Sequence, residues 1–174
     1  PPRSTLFPYT TLFRSVVAWF YDNMVTLAHL GDSRAYRLRG NFFERLTRDH
    51  SLLQHQLDSG IISAEEARFS RSKNLVTRAL GVDLPVEPEI RDLSVRPGDV
   101  YLLCSDGLND MVGDVEIGAT MRALAADPVA AAERLVQMAN ENGGRDNISV
   151  ILVRVRGEFP ARAGRRQELR AGFG

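Results

Sequence analysis

Three aspartates stand at corners of the sequence where a side chain can be presented with little cover. Asp32 follows the apolar run VTLAHL, Asp106 follows VYLLCS, and Asp146 precedes NISVILVRV, with glycine close by in each case. Taken singly, each is what an ordinary surface turn uses, because Asp beside Gly accommodates tight backbone geometry. Taken together they carry chemistry if their strands are neighbours: clustered carboxylates repel one another unless protonated or joined to a cation. Oxygen donors without Cys or His beside them suit hard Mg²⁺ or Mn²⁺ better than zinc. Other reactive side chains fit bland roles. Cys104 lies inside an apolar strand and reads as a small buried hydrophobe; a cysteine-dependent phosphatase would need an arginine six residues on, where this chain has Asp110. His50 and His55 are five residues apart, roughly 140° around a helix, so one helical face does not present both. His29 reads as a core or edge-strand histidine, and Trp19 as a core residue.

These corners must be positioned by regular elements, which begin at Val16. VVAWF and VTLAHL, separated by Tyr21-Asp22-Asn23, read as a β-hairpin, and RAYRLRG as a third strand completing a meander. Asp49 is expected to cap a helix through HSLLQHQLDS that ends at Gly60. Ser63 and Glu66 form a capping box for a short helix over residues 64–69. The stretch SRSKNLVTRALGVDLPVEPEI reads as largely irregular. Pro97-Gly98 forms a type II turn into the strand VYLLCS. A helix is expected over residues 115–125, then one opened by Asp127-Pro128 and buried through Ala132, Leu135, Val136 and Ala139. Gly143-Gly144 ends it, and ISVILVRV is the last strand.

Composition sets the outer limits. A chain of 174 residues, 44% hydrophobic and 25% charged, fits one globular domain. Its 22 basic and 22 acidic residues cancel, so no overall field recruits nucleic acid or an anionic membrane. No apolar run approaches the roughly 20 residues a membrane helix needs. With a single cysteine there is no internal disulfide, in keeping with a cytoplasmic location. Residues 1–15, PPRSTLFPYTTLFRS, follow neither helical nor strand period and resemble translated sequencing-adapter contamination. Residues 16–156 are the expected domain, and 157–174 a basic, disordered tail.

Six segments, in order, resemble successive motifs of the bacterial PPM-type (type 2C) metal-dependent serine/threonine protein phosphatases: AHLGDSRAYRLRG, LTRDHSLLQ, SGIISAEEA, NLVTRALG, PGDVYLLCSDGLNDMV and GGRDNISVILVRV. SDGL and GGRDN are much more specific than GDSR. The resemblance spans Val16 to about Val155 and implies an α+β fold, a four-layer α-β-β-α sandwich of two antiparallel sheets with helices on both outer faces. It implies that Asp106 and Asp146 belong to the main metal cluster, that Asp32 and Asp110 help hold a third metal, and that Asn147 and Arg34 support them. Residues 58–80 correspond to the family's flap.

The activity implied is hydrolysis of phosphoserine and phosphothreonine in proteins by metal-activated water, without a catalytic nucleophile from the protein. Two or three Mn²⁺ or Mg²⁺ ions serve the complete enzyme, and its substrates are proteins phosphorylated by a bacterial serine/threonine kinase. The family's N-terminal phosphate-binding arginine and its metal-bridging Asp-Gly pair have no counterpart here. The chain therefore reads as an N-terminally truncated domain with part of its metal cage, and its rival reading is a non-catalytic phosphoprotein-binding module. A nucleic-acid binder would need a basic helix or aromatic platform that the sequence does not show.

Overall fold

The computed structural model describes residues 14–63, 66 and 87–159. Seven strands and four helices occur among them. β1 (Ser15–Tyr21) and β2 (Met24–Leu30) form the expected hairpin in full register from Ser15↔Leu30 to Tyr21↔Met24. Asp22 and Asn23 both take positive φ, 47° and 57°, the two-residue turn that matches strand twist. β5 (Glu89–Ser94) pairs with the other edge of β2, giving a first sheet of order β1-β2-β5.

The third run does not extend this sheet. β3 (Arg34–Arg39) crosses to a second sheet of order β4-β3-β6-β7, with β4 (Phe42–Arg45), β6 (Val100–Cys104) and β7 (Val150–Arg154). The meander expected from the sequence is thus broken after β2. The physical reason is burial on two sides: Ala35 packs toward the first sheet, while Tyr36 and Leu38 pack toward the helices. β6 alternates in the same way, Tyr101 and Leu103 inward between the sheets, Val100, Leu102 and Cys104 outward under the helices. All five of its residues are buried.

The helices account for a third layer. α1 (Leu52–Asp58) begins at Ser51, whose hydroxyl accepts from the Gln54 N–H at 3.1 Å. Asp49, expected as the cap, is instead held by Arg34, so a distant ion pair displaces a local cap. Short α2 (Asp106–Asn109) follows β6 directly, then α3 (Asp114–Ala123) and α4 (Pro128–Glu141). Asp127 caps α4 through the Val129 and Ala130 N–H groups, both at 3.1 Å. The buried faces are Ile117 and Met121 on α3 and Ala131, Leu135 and Ala139 on α4, so Ala131 takes the place the spacing gave to Ala132. They close over the second sheet with Leu108 and Val112.

The outer face of the first sheet carries Val17 (54% exposed), Trp19 (65%) and Ile90 (62%), and no described helix covers it. Trp19 is therefore not a core residue; it lies beside Tyr21 with ring centroids 5.3 Å apart. The Ser63–Glu66 capping box forms reciprocally, at 2.7 Å and 3.2 Å. The helix body expected beyond it, and most of residues 58–80, lie outside the described residues, as do residues 1–13 and 160–174. Phe159, within the expected tail, packs on the inter-sheet core, and its N–H donates to Asn23 Oδ1 at 2.6 Å.

Candidate metal centre

Antiparallel pairing brings the three acidic corners to one end of the strands. Arg34 at the start of β3 faces Cys104 at the end of β6, which faces Val150 at the start of β7. Asp32, Asp106 and Asp146 lie just beyond these three positions. The loop before β7 is stitched to the end of β6: the Ser105 hydroxyl donates to the Asn147 carbonyl at 2.9 Å and accepts from the Ser149 N–H at 3.0 Å. Gly107 sits directly against the Asn147 and Asp146 carbonyls. Asp146 is exposed, and its Oδ1 accepts from the Asn147 main-chain N–H at 2.7 Å.

Asp32 and Asp106 converge on a single cation. Arg14 Nη1 donates to both oxygens of Asp32, at 3.0 and 2.9 Å, and to Asp106 Oδ2. Asp32 is 8% exposed, and burial pushes its pKa up, with Arg14 opposing the shift and Asp106 adding to it. Two carboxylates that share one guanidinium concentrate negative charge at this corner. The donor set is oxygen alone, as Mn²⁺ and Mg²⁺ prefer. Asp110 is exposed at the C-terminus of α2, where its N–H donates to the Asp106 carbonyl at 2.8 Å. Asn147 meets Asp146 through its main chain. Arg34 turns from the corner toward Asp49, the Tyr36 hydroxyl and Asp114, bracing the β3 entry. Arg14 could not be selected from the sequence, where it belongs to an aperiodic segment.

A second cluster lies beneath this corner. His29 (3% exposed), His50 and Glu89 offer donor atoms within 4.8 Å of one another, and neither ring nitrogen of His29 has a hydrogen-bond partner. A metal there needs an unprotonated nitrogen from each histidine. The Gly31 N–H donates to His50 Nδ1 at 3.2 Å, which puts the proton of a neutral ring on Nε2, the atom 3.8 Å from Glu89. That tautomer opposes a tridentate site, and the cluster is a packed, desolvated group instead.

Burial, then the neighbouring His50, lowers the His29 pKa from 6.5 to about 4. Its folded value lies below its unfolded one, so the stability it contributes is complete above pH 6.5 and drains away as pH falls toward 4. Each pH unit in that window removes about 1.4 kcal/mol. Wild type is expected to lose about 2 to 3 kcal/mol of stability relative to His29→Leu between pH 7 and pH 4.5, measured by urea unfolding in EDTA. A constant difference would show that His29 titrates normally in the fold. Burial also pushes the Cys104 thiol up to about 12, which suits an inert core residue.

Two antiparallel sheets and a helical layer define an α+β sandwich, with Asp32, Asp106 and Asp146 at one end of its strands. A family profile described as protein phosphatase 2C matches residues 14–148, and the chain belongs to that family. Its relatives include the serine/threonine protein phosphatase PstP of Mycobacterium tuberculosis, 41% identical over 137 residues, covering 78% of this chain and 26% of that protein. The serine/threonine phosphatase stp of Listeria welshimeri is 40% identical over 147 residues, covering 83% of this chain and 56% of the relative. The crystal structure of Mycobacterium tuberculosis PstP superposes with a TM-score of 0.76 at 36% identity, over 82% of this chain and 60% of that one. A structure of the PstP catalytic domain in complex with two manganese ions gives 0.70 at 37% identity, over 80% of this chain and 56% of that one. The chain thus spans between a quarter and about three fifths of the length of these proteins.

Proposed function

We propose that this chain supplies the Asp32, Asp106 and Asp146 side of the active site of a phosphatase that hydrolyses phosphoserine and phosphothreonine in proteins. The observation that carries the reading is the convergence of Asp32 and Asp106 on one cation at the strand end that also bears Asp146. Asp106 and Asp146 would hold the main cluster of Mn²⁺ or Mg²⁺, with Asp32 and Asp110 toward a further ion. Bound there, such ions lower the pKa of water and neutralise charge on the phosphoryl oxygens. Phosphate-monoester hydrolysis needs up to ~10²¹-fold acceleration, which explains the demand for so concentrated an electrostatic site. The protein's own part is to hold the carboxylates on rigid strand ends, oriented by main-chain donors such as the Gly107 N–H on Asp106 Oδ1. Substrates are proteins phosphorylated by a bacterial serine/threonine kinase, in the cytoplasm.

The test is Mn²⁺-dependent hydrolysis of a phosphothreonine peptide. It compares the chain alone with a fusion in which the N-terminal half of the Listeria relative replaces residues 1–15. The fusion is expected to turn over and to stop in EDTA, and the chain alone to be inactive. A folded, Mn²⁺-binding fusion without turnover would favour the phosphoprotein-binding alternative.

Arg14 occupies the place a cation would take, so it competes with the metal. Its charge-assisted bonds to two carboxylates are of the strong kind. Removing about 1.4 kcal/mol of that competition corresponds to tenfold in affinity. Arg14→Gln is expected to tighten Mn²⁺ binding about tenfold by isothermal titration, whereas weaker binding would make Arg14 a support of the site.

A further inference from the structure

We infer that His50 is a positioning residue for Asp32, acting through Gly31; this rests on the reading of Asp32 as a metal ligand. Gly31 takes φ of 99°, a left-handed conformation in which a glycine has wide freedom. That freedom is removed by one residue. The His50 N–H donates to the Gly31 carbonyl at 2.7 Å, and His50 Nδ1 accepts from the Gly31 N–H at 3.2 Å. Both polar groups of Gly31 are therefore committed to His50, and both peptide planes around it are fixed. Asp32 is the next residue along, so its Cα and the direction of its carboxylate follow from those planes.

The rest of the segment reinforces this pairing. Leu46 N–H donates to the Ala35 carbonyl at 2.8 Å, Ala35 N–H donates to Thr47 Oγ1 at 3.0 Å, and Asp49 accepts from Arg34. Residues 46–50 thus run as a ladder beside residues 31–35, and the turn carrying Asp32 is held from both ends. His50 has the shape for its place. Its ring packs on His29 with centroids 4.7 Å apart, its Nδ1 accepts, and its Nε2 faces Glu89. Without the acceptor, the Gly31 N–H would lose its partner, and the glycine would relax toward other conformations.

Substitutions separate the acceptor from the ring. Asn places Oδ1 near the position of Nδ1 and keeps the bond to Gly31. Gln reaches toward the Nε2 position and loses that bond while remaining polar, and Leu loses both. All variants are made in the 174-residue chain beside Asp32→Asn, with Mn²⁺ affinity measured by titration calorimetry and Gly31 amide exchange by NMR. His50→Asn is expected to bind Mn²⁺ within about threefold of wild type, and His50→Gln and His50→Leu at least about tenfold more weakly, about 1.4 kcal/mol or more. Exchange protection of Gly31 should be kept in the Asn variant and lost in the other two. Equal loss of affinity in all three would overturn the inference, because the ring rather than its acceptor would then matter. Wild-type affinity in the folded Gln variant, with Asp32→Asn impaired, would overturn it while leaving the Asp32 reading intact. Unchanged Mn²⁺ affinity in Asp32→Asn, whatever Gly31 does, would overturn the Asp32 reading and the inference with it.

Discussion

Asp106→Asn is expected to reduce Mn²⁺-dependent phosphopeptide hydrolysis by the fused domain at least about a hundredfold, since even groups that only orient metal ligands are worth 10- to 100-fold. The substitution keeps the shape of the side chain. Asn retains an oxygen that can accept from the Gly107 N–H, which now bonds Asp106 Oδ1 at 3.0 Å, so α2 should start in the same place. What disappears is one negative charge at the corner that Asp106 forms beside Asp32. Removing like charge beside Asp32 relieves repulsion, so the metal-free fold should be no less stable. Metal affinity and turnover should fall together, because an uncharged amide is a poor ligand for a hard dication. Asp146→Asn should act in the same direction. Near-normal turnover and near-normal Mn²⁺ affinity in both folded variants would remove these aspartates from the site.

The parts of the fold that local chemistry dictates were legible in the sequence. Asp22-Asn23 closes the hairpin with two positive φ angles, Gly98 takes φ of 91° after Pro97, and Asp127-Pro128 opens α4. Each depends on three or four neighbouring residues. What the sequence hid depends on distant ones. Whether β3 joins β2 or β6 is a contest between two possible edges, and nothing within RAYRLRG states which wins. β5 escaped notice because its solvent-facing residues, Ile90 and Asp92 among them, blur the alternation that marks a half-buried strand. Trp19 departs from expectation for a related reason: its large apolar ring argues for burial, but the face it occupies is fixed by the register of its hairpin. Asp49 has the chemistry of a helix cap, and only the approach of Arg34, 15 residues earlier, draws it away.

The site divides along the same line. Asp32, Asp106 and Asp146 could be named because their motifs resemble those of a known family, and chain pairing then explains why they lie at one end of the strands. Arg14 carried no such signal, and His50, although inside LTRDHSLLQ, carried none for its role. Arg14 acts through a charge that any arginine at the right distance would supply. His50 acts through one ring nitrogen on the main chain of Gly31, a contact invisible until the ladder from Leu46 to His50 is laid against β3.

Gly107→Ala is expected to damage the site from a position that touches no cation. A Cβ at Gly107 would meet the Asn147 carbonyl oxygen at 2.4 Å, its carbon at 2.8 Å and the Asp146 carbonyl oxygen at 3.3 Å. These are main-chain atoms, and they are tied down by the Ser105 hydroxyl, the Ser149 N–H and the Ser105 N–H to the Ser149 carbonyl at 3.0 Å. Unlike the end of a flexible side chain, they cannot rotate aside. Relief requires that the loop carrying Asp146 move away from α2 by about 1 Å, and overpacking of this kind costs about 1 to 3 kcal/mol. The displacement falls between Asp106 and Asp146, where an error of about 1 Å in a reacting geometry costs about a hundredfold in rate. Gly118→Ala is the matched control. Its Cβ would meet the Phe43 ring at 2.7 Å, but that ring is a partly buried side chain far from the acidic corner, and Ala favours the helix by about 1 kcal/mol. Thermal unfolding, Mn²⁺ titration and hydrolysis by the fused domain should therefore separate the two: Gly107→Ala loses stability, metal affinity and turnover together, while Gly118→Ala changes stability alone. Wild-type Mn²⁺ affinity in Gly107→Ala would mean that the two acidic corners bind independently, and the shared centre would have to be abandoned.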